Sequence, residues 1–207
     1  MNLERLKQAE EAFLYRFPGG FDNPEIIARK HKPDQMIALA QEGYSKRNFR
    51  LPELIVRNMV KLVSRSSIIS VFEKPRFRDF AEALPPDERK FFSNGLKQLL
   101  HGNEQTGFDM ILDLLKERKL AKWSLMTVCQ TYFHPQRDVF VKPTTVKGVI
   151  EYFELKDLEY RPTPSWTFYD TYRSTFYEMK SRVDPSLSPT NAAFSGFLWM
   201  TIRGEVI

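Results

Sequence analysis

The chain has 207 residues, 42% of them apolar and 14% aromatic, with seventeen phenylalanines. That composition can bury a sizeable core without a disulfide or metal staple, and it excludes a disordered chain. One cysteine excludes an internal disulfide, and no apolar run approaches the roughly 18 residues of a membrane span. The amphipathic, charged N-terminus does not read as a secretory leader, so a cytoplasmic protein with no membrane partner is expected.

The formal net charge is +5, and it is unevenly spread. Between Arg29 and Arg78 twelve Lys and Arg face four acids, a local charge of +8, which leaves −3 for the rest of the chain. Such asymmetry points to an anionic partner.

In chain order, Leu3, Leu6, Phe13 and Phe17 define a first helix over residues 2–16, ended by Pro18-Gly19-Gly20. Pro24 and Pro33 suit helical first turns, and the helix after Pro33 stops at Gly43. Pro52 opens a helix with Ile55, Met59, Leu62 and Val63 as its apolar stripe. Residues 64–84 predict one or two short helices. Pro85-Pro86-Asp87-Glu88 leads into a helix ending at Gly102, weakened at Asn94-Gly95 by about 1 kcal/mol relative to alanine.

Phe108, Ile111, Leu112 and Leu115 mark the next helix. Residues 123–133 fit a helix or a strand, and Val139 and Val141 alternate, so a minor β-hairpin near 124–142 is the one expected departure from an all-α fold. Helical periodicity returns from Thr144, again from Thr163-Pro164 to Lys180, and after Ser188-Pro189. The expectation is a single multi-helix domain over 1–207, or a basic part over 1–84 with a second part over 85–207.

No phosphate-binding loop, dinucleotide fingerprint, zinc-protease pair, CxxC or nucleophile elbow is present, so neither cofactor nor metal is expected. His31, His101 and His134 are too far apart to share a helix face. Cys129 has no neighbouring base or cation and reads as an inert thiol.

Three groups of residues carry chemistry. Arg57, Lys61 and Arg65 recur every fourth residue on the Pro52 helix, with Arg47 and Arg50 just before it. Fixed cations in such a row neutralise phosphates and release counterions, which suits nucleic acid or another polyanion. Trp166, Tyr169 and Arg173 share a helix face, and with Lys142 and Arg161 they form a candidate pocket for an anionic group. A core helix with its Tyr hydroxyls bonded at the rim is the alternative. Asp138, Glu154 and Lys156 have the Asp…Glu-x-Lys form of metal-dependent nucleases, although there the Glu-x-Lys lies on a strand and here it follows helical periodicity. Asp109, Asp113 and Glu117 read as a solvated acidic edge.

Three functions follow: a nucleic-acid-associated binding or accessory protein using the basic face, a protein-interaction scaffold with a protein partner, and an enzyme built on the Asp138 trio or the Lys142/Arg161 pocket.

Overall fold

A computed structural model of the chain describes residues 1–29 and 33–205. Among them are eleven α-helices and no strand, the all-α class expected. The chain begins with α1 (Leu3–Arg16), α2 (Pro24–Arg29), α3 (Asp34–Gly43) and α4 (Pro52–Arg65). It continues through α5 (Glu73–Ala83), α6 (Pro86–His101), α7 (Glu104–Glu117) and α8 (Trp123–Phe133). The last helices are α9 (Pro143–Tyr152), α10 (Trp166–Lys180) and α11 (Asn191–Ile202). No helix among the described residues is long and apolar enough to cross a membrane.

The chain divides into two compact units. One comprises residues 1–32, 135–161 and 167–207. The other comprises 33–134 with 162–166, and so runs without a break across residue 84.

The first unit is centred on phenylalanine. Phe13 stacks on Phe21 at 5.4 Å and meets the Phe197 ring edge-on at 5.4 Å, while Phe176 meets Phe194 at 4.9 Å. Gly20, at φ +62, turns the chain where a Cβ would lie 2.5 Å from Ser186, so both conformation and space demand glycine.

The second unit is an α3–α8 bundle in which α4 packs against α3, α5, α6 and α8. Phe77, Phe80 and Phe92 form a ring cluster with centroids 5.6–6.3 Å apart. The Gly95 that weakens α6 in isolation has a packing purpose. At Gly107 on α7 a Cβ would sit 2.6 Å from the Gly95 carbonyl oxygen and 2.1 Å from the Leu99 backbone nitrogen, so the α6–α7 hairpin closes through paired glycines. Gly107→Ala is expected to destabilise this unit by about 1–3 kcal/mol through overpacking, despite alanine's better helix propensity. A lower urea midpoint checks this; a raised midpoint would contradict so close a crossing.

The hairpin expected near 124–142 is absent among the described residues. Residues 123–133 form α8, almost wholly buried. Thr127 and Thr131, strand-formers by type, donate their hydroxyls at 2.8 Å to the Trp123 and Thr127 carbonyls one turn back, which satisfies them inside a helix. Val139 and Val141 are buried in a segment that is neither helix nor strand; the Val139 N–H donates to the Tyr169 hydroxyl at 3.3 Å. In residues 64–84 a turn precedes one helix, α5, and α10 begins at Trp166 rather than at Thr163.

Candidate nucleic-acid interface

The basic face belongs to the second unit. A short 3-10 helix, Lys46–Arg50, leads into α4 through Leu51. Its inner side is fixed by Phe49, which meets the His101 ring edge-on at 5.5 Å. Asn48 Nδ2 donates to the Glu42 and Gly43 carbonyls at 3.0 and 3.2 Å, and Asn58 Nδ2 donates to Gly43 at 2.9 Å. With Phe49 and Asn48 turned inward, Arg47 and Arg50 stand exposed.

On α4, Ile55, Val56, Met59, Leu62 and Val63 are buried. At about 100° per residue, Arg57, Lys61 and Arg65 occupy an arc centred opposite that stripe, and all three are exposed. Their row rises about 12 Å along the axis, the run of roughly three to four phosphates at ~3.4 Å per nucleotide of one strand. Among the described residues none of Arg47, Arg50, Arg57, Lys61 and Arg65 is in an ion pair, whereas Arg78 and Arg118 pair with Asp79 and Glu88 at 2.8 and 2.9 Å. Lys30, His31 and Lys32, also in the basic stretch, lie outside the described residues, as does the side chain of Arg29.

Under this face, His101 Nε2 lies 2.8 Å from the Tyr44 carbonyl, and the Phe133 ring covers it edge-on at 5.0 Å. Burial, foremost, holds the His101 pKa below its ordinary value against the opposing pull of its bond to the Tyr44 carbonyl, and the charges of Lys46 and Lys97 push it down further. The folded state therefore prefers neutral imidazole. Its contribution is complete above the unfolded His pKa, about 6.5, and is lost as pH falls through the lower folded value. Melting temperature should drop between pH 7 and 5, and a His101→Gln variant should show a smaller drop. An equal drop in both would place the acid sensitivity elsewhere. Burial similarly pushes the Cys129 thiol up to about 12, so this cysteine, 3.5 Å from the Tyr44 hydroxyl, is unreactive at neutral pH.

The first unit holds the other candidate residues except Trp166, which belongs to the second. Asp138 is 1% exposed and fully engaged. Its Oδ1 accepts from the Tyr169 hydroxyl at 3.0 Å and from Arg173 at 3.1 Å; its Oδ2 accepts from Arg137 at 2.9 Å. The Arg173 guanidinium lies 5.4 Å from the Tyr169 ring centre and also reaches Asp170 at 2.9 Å. Asn191 donates to the Asp138 carbonyl at 3.3 Å and to the Tyr177 hydroxyl at 3.0 Å, and accepts from Lys180 at 3.0 Å. Tyr169 is thus turned inward because its hydroxyl finds a carboxylate, and burial raises its pKa well above the ordinary value. Sequence reasoning placed Tyr169 beside Arg173 but missed Asp138 as their shared partner; 31 and 35 residues separate it from them, and no local pattern signals the pairing.

Glu154 is engaged separately. It ends α9 in the left-handed region at φ +52, with its carboxylate 3.4 Å from Arg5 and accepting from Asn2 at 3.2 Å. Lys156 is exposed in the following turn. Among the described residues no three His, Cys, Asp or Glu side chains are grouped to hold a metal ion, and the Asp138 and Glu154 carboxylates are each engaged by other side chains. Lys142 is exposed at the start of α9, Arg161 pairs with Glu159 at 3.2 Å, and Trp166 packs on Phe108 at 5.7 Å. A shallow cavity of about 400 Å³ in the second unit is lined by Arg76, Asp79, Phe80, Arg118 and their neighbours, none of them among these candidates.

No protein-family model, curated protein or solved structure matches this chain.

Proposed function

We propose that this protein is a non-catalytic nucleic-acid-binding or accessory protein that holds a phosphate backbone on the outer face of α4 and the short helix before it. The observation that carries this reading is the unpaired row Arg57, Lys61, Arg65, extended by Arg47 and Arg50. Like charges four residues apart destabilise a helix by about 0.2–0.5 kcal/mol per pair. Glu53, four residues before Arg57, offsets part of this at one end, but among the described residues no acid forms an ion pair with the row. An arrangement that costs stability in the free protein is relieved by a polyanion laid along it. Lys61 at the centre of the row, Arg57 and Arg65 beside it, and Arg47 and Arg50 at the entrance to α4 would each neutralise a phosphate. Contacts of this kind fix position and carry no base sequence.

The test is fluorescence anisotropy of labelled 30-mers, single- and double-stranded, DNA and RNA, at low salt. Saturable binding is the expected result. No binding to any of the four overturns the proposal.

A further inference from the structure

Resting on that reading, we infer that the turn following α4 makes the interface selective for single strands, with Phe72 as a stacking platform for an unpaired base. The turn is built rather than loose. The Ser66 hydroxyl, fully buried, lies 3.1 Å from the Tyr132 hydroxyl, and Ile69 is 3% exposed. Ser70 closes the turn: its carbonyl accepts from the Glu73 N–H at 3.0 Å and its hydroxyl accepts from the Phe72 N–H at 3.3 Å.

What this held turn shows to solvent is apolar. Phe72 is 80% exposed and Val71 70%, while every other phenylalanine of the second unit is at most about half as exposed. Together with Ile68, 37% exposed, Phe72 and Val71 give this one turn an apolar group open to a partner.

The surroundings say which partner. The turn begins at the residue after Arg65, the last cation of the α4 row, and Lys74 and Arg76 follow it. Neither Lys74 nor Arg76 is in an ion pair among the described residues. Glu73, the single acid from residue 54 to residue 78, is turned away and accepts from the Ser124 hydroxyl at 2.7 Å. In the chain the ring therefore stands between the last cation of the row and two further unpaired cations, with the one nearby acid engaged elsewhere. An aromatic face beside backbone-tracking cations is the arrangement that binds single-stranded nucleic acid, because every base presents a π-face once unpaired. A duplex keeps its bases stacked on each other and leaves the ring unused.

The test compares Phe72→Ala, Phe72→Leu and Phe72→Trp with the parent protein, using labelled single-stranded and duplex 30-mers and vesicles of phosphatidylserine and phosphatidylcholine. The ring is exposed, so circular dichroism should show all three folded. Expected are a loss of at least about fivefold in single-strand affinity for the alanine and leucine variants, retention by tryptophan, and unchanged duplex affinity. Equal single-strand affinity in all four proteins would overturn the stacking assignment while leaving the basic-face reading intact. Retention by leucine, or vesicle binding that depends on Phe72, would overturn it in favour of apolar docking. Absence of any nucleic-acid binding by the parent protein would remove the underlying reading itself.

Discussion

Replacing Arg57, Lys61 and Arg65 together with glutamine is expected to weaken single-strand binding about a hundredfold at 0.1 M salt. The estimate follows from counterion release. Each neutralised phosphate of a single strand contributes a slope of about 0.7 in log affinity against log salt, so at 0.1 M each contact is worth roughly fivefold. Three contacts multiply to about 10², and the salt slope should fall by about 2. Folding should not suffer, since all three side chains are exposed and their removal ends two repulsive pairs. Lys61→Glu separates function from stability more sharply. It places an acid four residues from Arg57 and from Arg65, so thermal stability should rise by a few tenths of a kcal/mol while affinity falls. Anisotropy and thermal melts on the same samples check both. A variant that loses stability along with affinity would show that the row belongs to the packing of α4.

The second large effect is on stability. Asp138→Ala is expected to destabilise the first unit by about 3–5 kcal/mol, the cost of stripping one partner from a buried ion pair. Arg173, whose side chain is 15% exposed, and the buried Tyr169 hydroxyl would lose their shared acceptor. Asp170, half-exposed, still reaches Arg173 and holds the figure to the lower part of that range. Asp138→Leu combined with Arg173→Met should recover much of the loss, because no buried charge is then left without a partner. Urea midpoints of the three proteins check this. If Asp138→Ala costs under about 1 kcal/mol, the network does not organise the unit.

The all-α class was legible because apolar spacing near 3.6 residues and proline or glycine punctuation agree along most of the chain. The Pro52 helix shows this best: its start, its buried stripe and its cationic face are each local properties. What stayed hidden was whatever depends on distant partners. Residues 123–133 were ambiguous because threonine's strand preference yields to hydroxyl bonds that form only within a helix. Gly95 read as a weakness because its partner, Gly107, is on the next helix. Asp138 read as half of a metal pair because nothing in the sequence announces Tyr169 and Arg173 as its neighbours. Nothing local in the sequence sets Phe72 apart among seventeen phenylalanines; its exposure does.

The proposed hold of the exposed cationic row of α4 on a phosphate backbone is tested most directly by the salt dependence of affinity. Binding of a labelled single-stranded 30-mer should be measured from about 50 to 300 mM salt. With Arg47, Arg50, Arg57, Lys61 and Arg65 all on phosphates, log affinity should fall against log salt with a slope of about −3.5. A slope shallower than about −1, or no binding at the lowest salt, would contradict the account.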